Sequence, residues 1–303
     1  MLPRLILAAC ALFATAVLHS GASIGMATAP AGFFVDGAAV PGSATLFEGT
    51  TVRTGKAPSR LQLSNGSGFS LSPDSQVKVF GSRFVLESGY GDFRPSGKVR
   101  VEARGLTVAG AGAGATARVA VHGTNLVQVA TASGLFRVYS SGGILVANVE
   151  AGAVLDFDPP AQGAQPISTA VGCLLKKDGK FVIFDQTTRV LFELRGTGFE
   201  KEWGKRVQAN GIARPSGQPG AATTQIMEVT SLTPLGAGDC DSVASTIGAE
   251  VPAQPGGATT GVGKPPPPPK TGGMSAGAKV AIGVAVAGGG AGAGIVLGKR
   301  GRS

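Results

Sequence analysis

Histidine is nearly absent from this 303-residue chain: there are two, and His19 lies in an N-terminal apolar run, so only His122 is left for chemistry. That excludes a histidine-rich zinc site and would force any Ser-His-Asp arrangement onto one residue of the turn His122-Gly123-Thr124. There glycine supplies an unusual backbone angle, and the segment reads as a strand-to-strand corner. Glu87, Asp92 and Glu102 could lie near one another, but carboxylates spaced along different strand-like segments are by themselves no signal of a paired site. The run Gly110-Ala-Gly-Ala-Gly-Ala115 has neither a following Lys-Ser/Thr nor a helix to supply a dipole, which excludes a phosphate-cradling loop and leaves a connection between strands. No catalytic residue, metal or cofactor is expected, and the chain reads as non-enzymatic.

Concentrated charge is also lacking in the middle of the chain. The net charge is +9, but residues 30–160 carry 11 basic and 9 acidic side chains and residues 161–240 carry 9 and 7, a net of +2 in each block. Another +1 lies in residues 1–29 and the remaining +4 in residues 241–303. Alternating signs on a near-neutral body describe an ordinary solvated surface and argue against a nucleic-acid partner.

The two ends carry the long apolar runs. Arg4 precedes LILAACALFATAVL, and small residues follow at Ser20 to Ser23, the pattern of a cleaved export signal, placed at residues 1–29. Leu7-Ala8-Ala9-Cys10 has the local form of a lipoprotein box, but a cut there would strand most of the apolar run. At the other end, Val280 to Leu297 is an uncharged run of 18 residues followed by Lys299, Arg300 and Arg302. As a helix it would rise about 27 Å, close to the hydrocarbon thickness of a bilayer. A transmembrane helix over 277–298 with a basic cytoplasmic tail at 299–303 is expected, which gives a membrane partner and an extracytoplasmic body. Gly288, Gly290, Gly292 and Gly294 form small-xxx-small faces that would permit homo-oligomer packing in the membrane. Pro268-Pro-Lys-Thr-Gly272 before the span resembles a C-terminal sorting signal, with Pro268 in place of its leading Leu. Residues 241–276, rich in Gly, Pro, Ala and Thr, read as a linker that spaces the folded part from the membrane.

Cysteine is scarce too. Once the signal is removed, Cys173 and Cys240 remain, and in an oxidising compartment they form a candidate disulfide. The alternative is a small buried Cys173 and a free Cys240 in a flexible linker.

What the middle of the chain does contain is alternation. Leu61, Leu63, Phe69 and Leu71 recur at every second position around Asn65-Gly66, a hairpin with a type I′ turn signal. The same grammar recurs at 76–80, 84–86, 98–101, 126–129, 135–139, 144–146 and 154–157, so residues 30–160 are expected to form an all-β unit of two sheets over one core. Residues 167–240 suggest five strands with a helical turn at Phe199 to Trp203, a small barrel of the OB type. On this barrel Trp203, Lys205 and Arg206 mark a possible ligand face, although a packing role for the tryptophan is the commoner case.

Residues 46–157 resemble the FecR-like extracytoplasmic domain, through Leu46-Phe-Glu-Gly-Thr-Thr-Val-Arg-Thr-Gly55, Ser59-Arg-Leu-Gln-Leu-Ser-Asn-Gly-Ser67, Leu71-Ser-Pro-Asp-Ser-Gln-Val77, Phe84-Val-Leu-Glu-Ser-Gly89, Val121-His-Gly-Thr-Asn125 and Val149-Glu-Ala-Gly-Ala-Val154. The resemblance implies a twisted two-sheet, partly solenoid-like module outside the cytoplasmic membrane. In the iron-uptake regulators of that family it relays a signal to a sigma factor, through a cytoplasmic N-terminal region that an export signal replaces here. Residues 172–235 are also similar to small uncharacterised β-barrel domains of exported bacterial proteins, which imply no chemistry. The reading is a membrane-anchored extracytoplasmic binding or scaffold protein of the bacterial envelope, with an envelope protein or the cell wall as partner. The alternative is a component of envelope signalling that acts through a separate membrane protein.

Overall fold

The computed structural model describes residues 21–159, 168–214, 224–236, 238–252 and 278–280. The first unit holds β1 (Gly25–Val35), β2 (Ala38–Leu46), β3 (Thr50–Arg53), β4 (Ser59–Leu63), β5 (Gly68–Leu71), β6 (Gln76–Phe80), β7 (Arg83–Arg94), β8 (Arg100–Ala103), β9 (Leu106–Gly110), β10 (Thr116–His122), β11 (Leu126–Ser133), β12 (Leu135–Ser140), β13 (Leu145–Glu150) and β14 (Val154–Phe157). The second holds β15 (Ser168–Lys177), β16 (Lys180–Asp185), β17 (Val190–Arg195), a 3₁₀ turn (Phe199–Glu202), β18 (Arg206–Arg214), β19 (Thr224–Gly236) and helix α1 (Cys240–Ile247). A three-residue strand, β20 (Ala278–Val280), lies parallel to β14.

Two strands build the first unit by serving two sheets each. The first half of β7 pairs with β6 and, in parallel, with β8, while its second half pairs with β5 and β10. The change of partners falls at Gly89, whose φ of 76° suits glycine, and a Cβ there would lie 2.7 Å from Ser75 Cα. Likewise β1 pairs with β4 over its first residues and with β3 at Phe34 and Val35, after an irregularity between Ala29 and Phe33. One sheet therefore runs β3-β6-β7-β8-β9-β12-β13 and the other β1-β4-β5-β7-β10-β11-β14, sharing β7 and joined again through β1. All of these strands belong to one continuous network of pairings, folded over a single apolar core, and the expected all-β character holds. β7 has four partners because each of its halves has one neighbour on each side, β6 and β8 first and then β5 and β10.

Alternation then fills the space between the sheets. Burial strictly alternates along β4, β6 and β8, as half-buried strands require. Phe84 and Phe136 from one sheet meet Phe69 and Phe93 from the other, with ring centroids 5.1 Å apart for Phe69–Phe84 and 6.1 Å for Phe93–Phe136. All four rings are fully buried, and each contributes roughly 2–3 kcal/mol of apolar burial.

Several boundaries move. The expected division at residue 29 falls inside β1, because Gly25 to Thr28 already pair with Leu63 to Arg60 and the first unit starts at Gly25. The turn between β4 and β5 is not type I′, which needs positive φ at both central residues. Only Gly66 has it, at 90°. Gly66 donates its N–H to Leu63 O and Leu63 donates to Ser67 O, the pattern of a three-residue loop ending in a left-handed glycine. Asn65 Oδ1 fixes this loop by accepting from Ser67 N–H at 3.0 Å.

The second unit is a closed barrel in the order β15-β16-β17-β19-β18, with β17 and β19 parallel and the other pairs antiparallel. Leu174, Ile183, Phe192, Val207, Ala209 and Met227 fill its interior. The expected linker at 241–276 begins too early, since α1 and an antiparallel bridge between Lys176 and Glu250 extend the unit past residue 240. Small and hydroxyl residues hid an amphipathic stripe in this stretch: Cys240, Val243, Ala244 and Ile247 share one helix face. Of the expected membrane helix at 277–298, Ala278–Val280 is strand. The rest of that segment, including Gly288, Gly290, Gly292 and Gly294, lies outside the described residues, as do the signal through residue 20 and the tail at 299–303. No described helix is long and apolar enough to cross a membrane.

Candidate functional site

The side chains singled out by sequence do not converge on one place. His122 is the last residue of β10, exposed and paired with Leu126 of β11, and Gly123 next to it has φ 58°, so the segment forms the corner of a hairpin. The three carboxylates each have their own neighbour. Asp92 holds Arg118 through two hydrogen bonds of 2.8 and 3.1 Å, Glu102 pairs with Arg83 and Arg100, and Glu87 accepts from Gln76 Nε2. The hydrogen bond and charge of Asp92 hold the Arg118 guanidinium above its ordinary range. Residues 111–115 link β9 to β10, with Ala115 buried.

The proposed ligand face on the barrel is largely used up by the protein itself. Trp203 donates its Nε1–H to the Glu250 carbonyl at 3.2 Å and meets the Phe181 ring edge-on at 6.4 Å. The Lys176 ammonium lies 4.3 Å from the Trp203 centroid and 4.6 Å from that of Phe181, so a cation already occupies the aromatic surface. Lys205 pairs with Glu202 at 3.1 Å, and Arg206 is exposed at the start of β18, opposite Cys173. Trp203 therefore serves to pin the Glu250 strand segment, and the trio does not form a common binding surface.

The candidate disulfide is formed, while sequence reasoning missed the helix it closes and the contact between the units. Cys173 of β15 and Cys240 of α1 are joined by a disulfide with Cα atoms 5.5 Å apart. Lys176 and Glu250 exchange backbone hydrogen bonds of 3.1 and 2.6 Å, and Lys177 Nζ donates to Ile247 O at 2.6 Å. The outer faces of β15, β16 and β17 thus lie beneath a strap of their own chain. Between the units, β13 offers its outer edge to the turn before β17. Asn148 N–H donates to Thr188 O at 2.7 Å, its Nδ2 donates to Arg189 O at 2.8 Å, and Arg189 pairs with Glu150 at 3.0 Å. The signal was an asparagine in the otherwise apolar Leu145-Val-Ala-Asn-Val149, a buried polar group that needs a partner. A separate shallow groove beside β1 is lined by Phe33, Phe34, Val40 and Pro41, with Lys56 at its rim.

Fold and surface together define an all-β protein of two units, a two-sheet body and a closed five-stranded barrel. No family model matches the chain. No curated protein matches it either. Among solved structures, two crystal structures from Parabacteroides distasonis ATCC 8503, each described as a proposed anti-sigma factor, are similar to it. Each has 14% identity and a TM-score of 0.29, and the match covers 60% of this chain and 99% of theirs.

Proposed function

We propose that this chain is a non-enzymatic, membrane-anchored binding or scaffold protein of the bacterial envelope, with its FecR-like two-sheet unit and an OB-like barrel held outside the cytoplasmic membrane. The observation that carries the reading is the Cys173–Cys240 disulfide, because such bonds persist in oxidising compartments and the N-terminal run has the form of an export signal. The barrel's strand order, with its third strand parallel to its fifth, supports the OB-like reading. The strap over β15 to β17 supports a scaffold role for the barrel, since strands two and three of such barrels commonly form the ligand face, and here their outer surface is covered. Envelope partners would then meet the two-sheet unit.

Protease treatment of spheroplasts, with mass mapping of both chain ends, tests this reading. The expected result is cleavage of residues 25–252 from outside and protection of the C-terminal tail. Full protection of the folded units until lysis would defeat the proposal.

A further inference from the structure

Charge is spread over the two-sheet unit less evenly than its near-neutral total implies. Along β3, β6, β7, β8, β9 and β12, the side chains that alternate with the buried Val77, Phe84, Val101, Val108 and Phe136 form one outer face. Arg53, Lys78, Arg83, Arg100 and Arg137 stand on it against Glu87 and Glu102, a net of +3. Residues 30–160 as a whole carry 11 basic and 9 acidic side chains, so the remainder holds 6 and 7, a net of −1.

Register lines these cations up as a track. Lys78 lies opposite Thr51, one pleat along β3 from Arg53, and Phe80, one pleat along from Lys78, lies opposite Arg83. Arg83 lies opposite Arg100 across the parallel β7–β8 pair, Arg100 opposite Ala109, and Ala109 opposite Arg137. The track crosses five strand spacings, about 24 Å, and Glu87 and Glu102 both lie on one side of it. Arg83 and Arg100, like charges directly opposite each other, share the carboxylate of Glu102. Among the described residues Arg53, Lys78 and Arg137 form no ion pair. The Nε–H groups of Arg83 and Arg137 meet no acceptor, so no hydrogen bond at Nε fixes either guanidinium in place.

We propose that this track binds a linear anionic polysaccharide of the envelope, one that carries carboxylate or phosphodiester groups along its length. Four of the five cations are arginine, whose planar fork matches both groups. The neutral residues beside the track, Thr51, Gln76, Val85, Thr107 and Ala109, are half-buried, and the Phe80 ring is covered by Arg83 at 4.1 Å. These residues offer no apolar pocket for the anchoring side chains of a protein partner. A flat bilayer would press on the two glutamates along with the cations, whereas a polymer can follow the cations alone. The proposal deepens the envelope reading above by naming the class of partner. Because it is tested on purified protein, its failure would leave the spheroplast result standing.

Two double variants of the full mature chain remove equal charge from opposite faces. Lys78→Gln with Arg137→Gln cuts the track, and Arg60→Gln with Arg94→Gln removes two exposed arginines from the outer face of the other sheet. The probe is polygalacturonate, titrated by calorimetry. The wild type should bind it saturably, with affinity falling at least about tenfold between about 50 and about 200 mM salt. Cutting the track should weaken binding at least about tenfold, while the other variant keeps wild-type affinity and both keep the wild-type unfolding temperature. The cations of the C-terminal segment are common to all three proteins. Arg100→Gln, a second cut of the track, should also weaken binding, and a folded Arg100→Gln chain with wild-type affinity overturns the proposal. So does a wild type that does not bind, or an equal loss in the two double variants. Tighter binding of polyglutamate would assign the track to an acidic protein and overturn the choice of occupant. A preference for phosphatidylglycerol over phosphatidylcholine vesicles that the track variant abolishes would assign it to a lipid surface and overturn it as well.

Discussion

The two-sheet unit contains no cysteine and packs residues from all along its length into one apolar cluster centred on Phe69, Phe84, Phe93 and Phe136. The barrel has a smaller interior and adds a second apolar layer outside its strands, closed by α1 and the Cys173–Cys240 bond. The difference follows from size, since a shorter chain buries a smaller share of its surface and needs a staple to offset its chain entropy. A cross-link spanning 67 residues removes roughly 4 kcal/mol of unfolded-state entropy in the chain-entropy model. The larger unit reaches stability through packing alone, so it should be the more sensitive of the two to truncation of a core side chain and the indifferent one to reduction.

That contrast can be broken at defined points. Phe93→Ala removes a fully buried ring within 6.2 Å of three others. It should cost about 3–5 kcal/mol, seen as early loss of the two-sheet transition in thermal or denaturant unfolding, with the barrel transition in place. Cys173→Ser with Cys240→Ser should lower the barrel's stability by about 2–4 kcal/mol and leave the other transition where it was. A shift of both transitions would mean that the units unfold as one. Gly89→Ala places a methyl against Ser75 at a left-handed φ of 76°, and a cost of about 1–3 kcal/mol is expected for that strain, confined to the two-sheet unit. Asn148→Ala removes the side-chain bond to Arg189 O. It should cost about 1 kcal/mol, read as a wider separation of the two unfolding transitions rather than a fall in either core.

Much of the strand content was legible in the sequence, because alternating large apolar residues announce a half-buried strand. β6 and β14 fall on the residues that alternation marks, and all five barrel strands were expected. β1, β2, β3, β9 and β10 were not; in β1, β2 and β10 many buried or half-buried positions are alanine (Ala27, Ala29, Ala44, Ala117, Ala120), and small side chains carry little periodic signal. β7 runs well past the expected 84–86, because Gly89 and Gly91 interrupt the apolar alternation where the strand changes partners. α1 was taken for linker because its buried stripe is short and its exposed face is Ser, Thr and Asp. The pairing of Cys173 with Cys240 was an open alternative in the sequence, as spacing alone does not bring two cysteines together. Trp203 shows the opposite limit. A lone tryptophan beside two basic residues suggests a ligand face, yet a lysine and a carbonyl of its own chain occupy it.

The contrast between a barrel closed by a disulfide and a larger unit closed by packing rests on one chemical state, which can be read in the cell. Thiols would be trapped by alkylation before lysis and the intact mass of the mature protein measured without reductant. The account requires no alkyl group on Cys173 or Cys240 and a chain that starts upstream of Gly25. Two alkylated thiols in the folded protein would contradict it, removing both the staple of the barrel and the strongest support for an extracytoplasmic location.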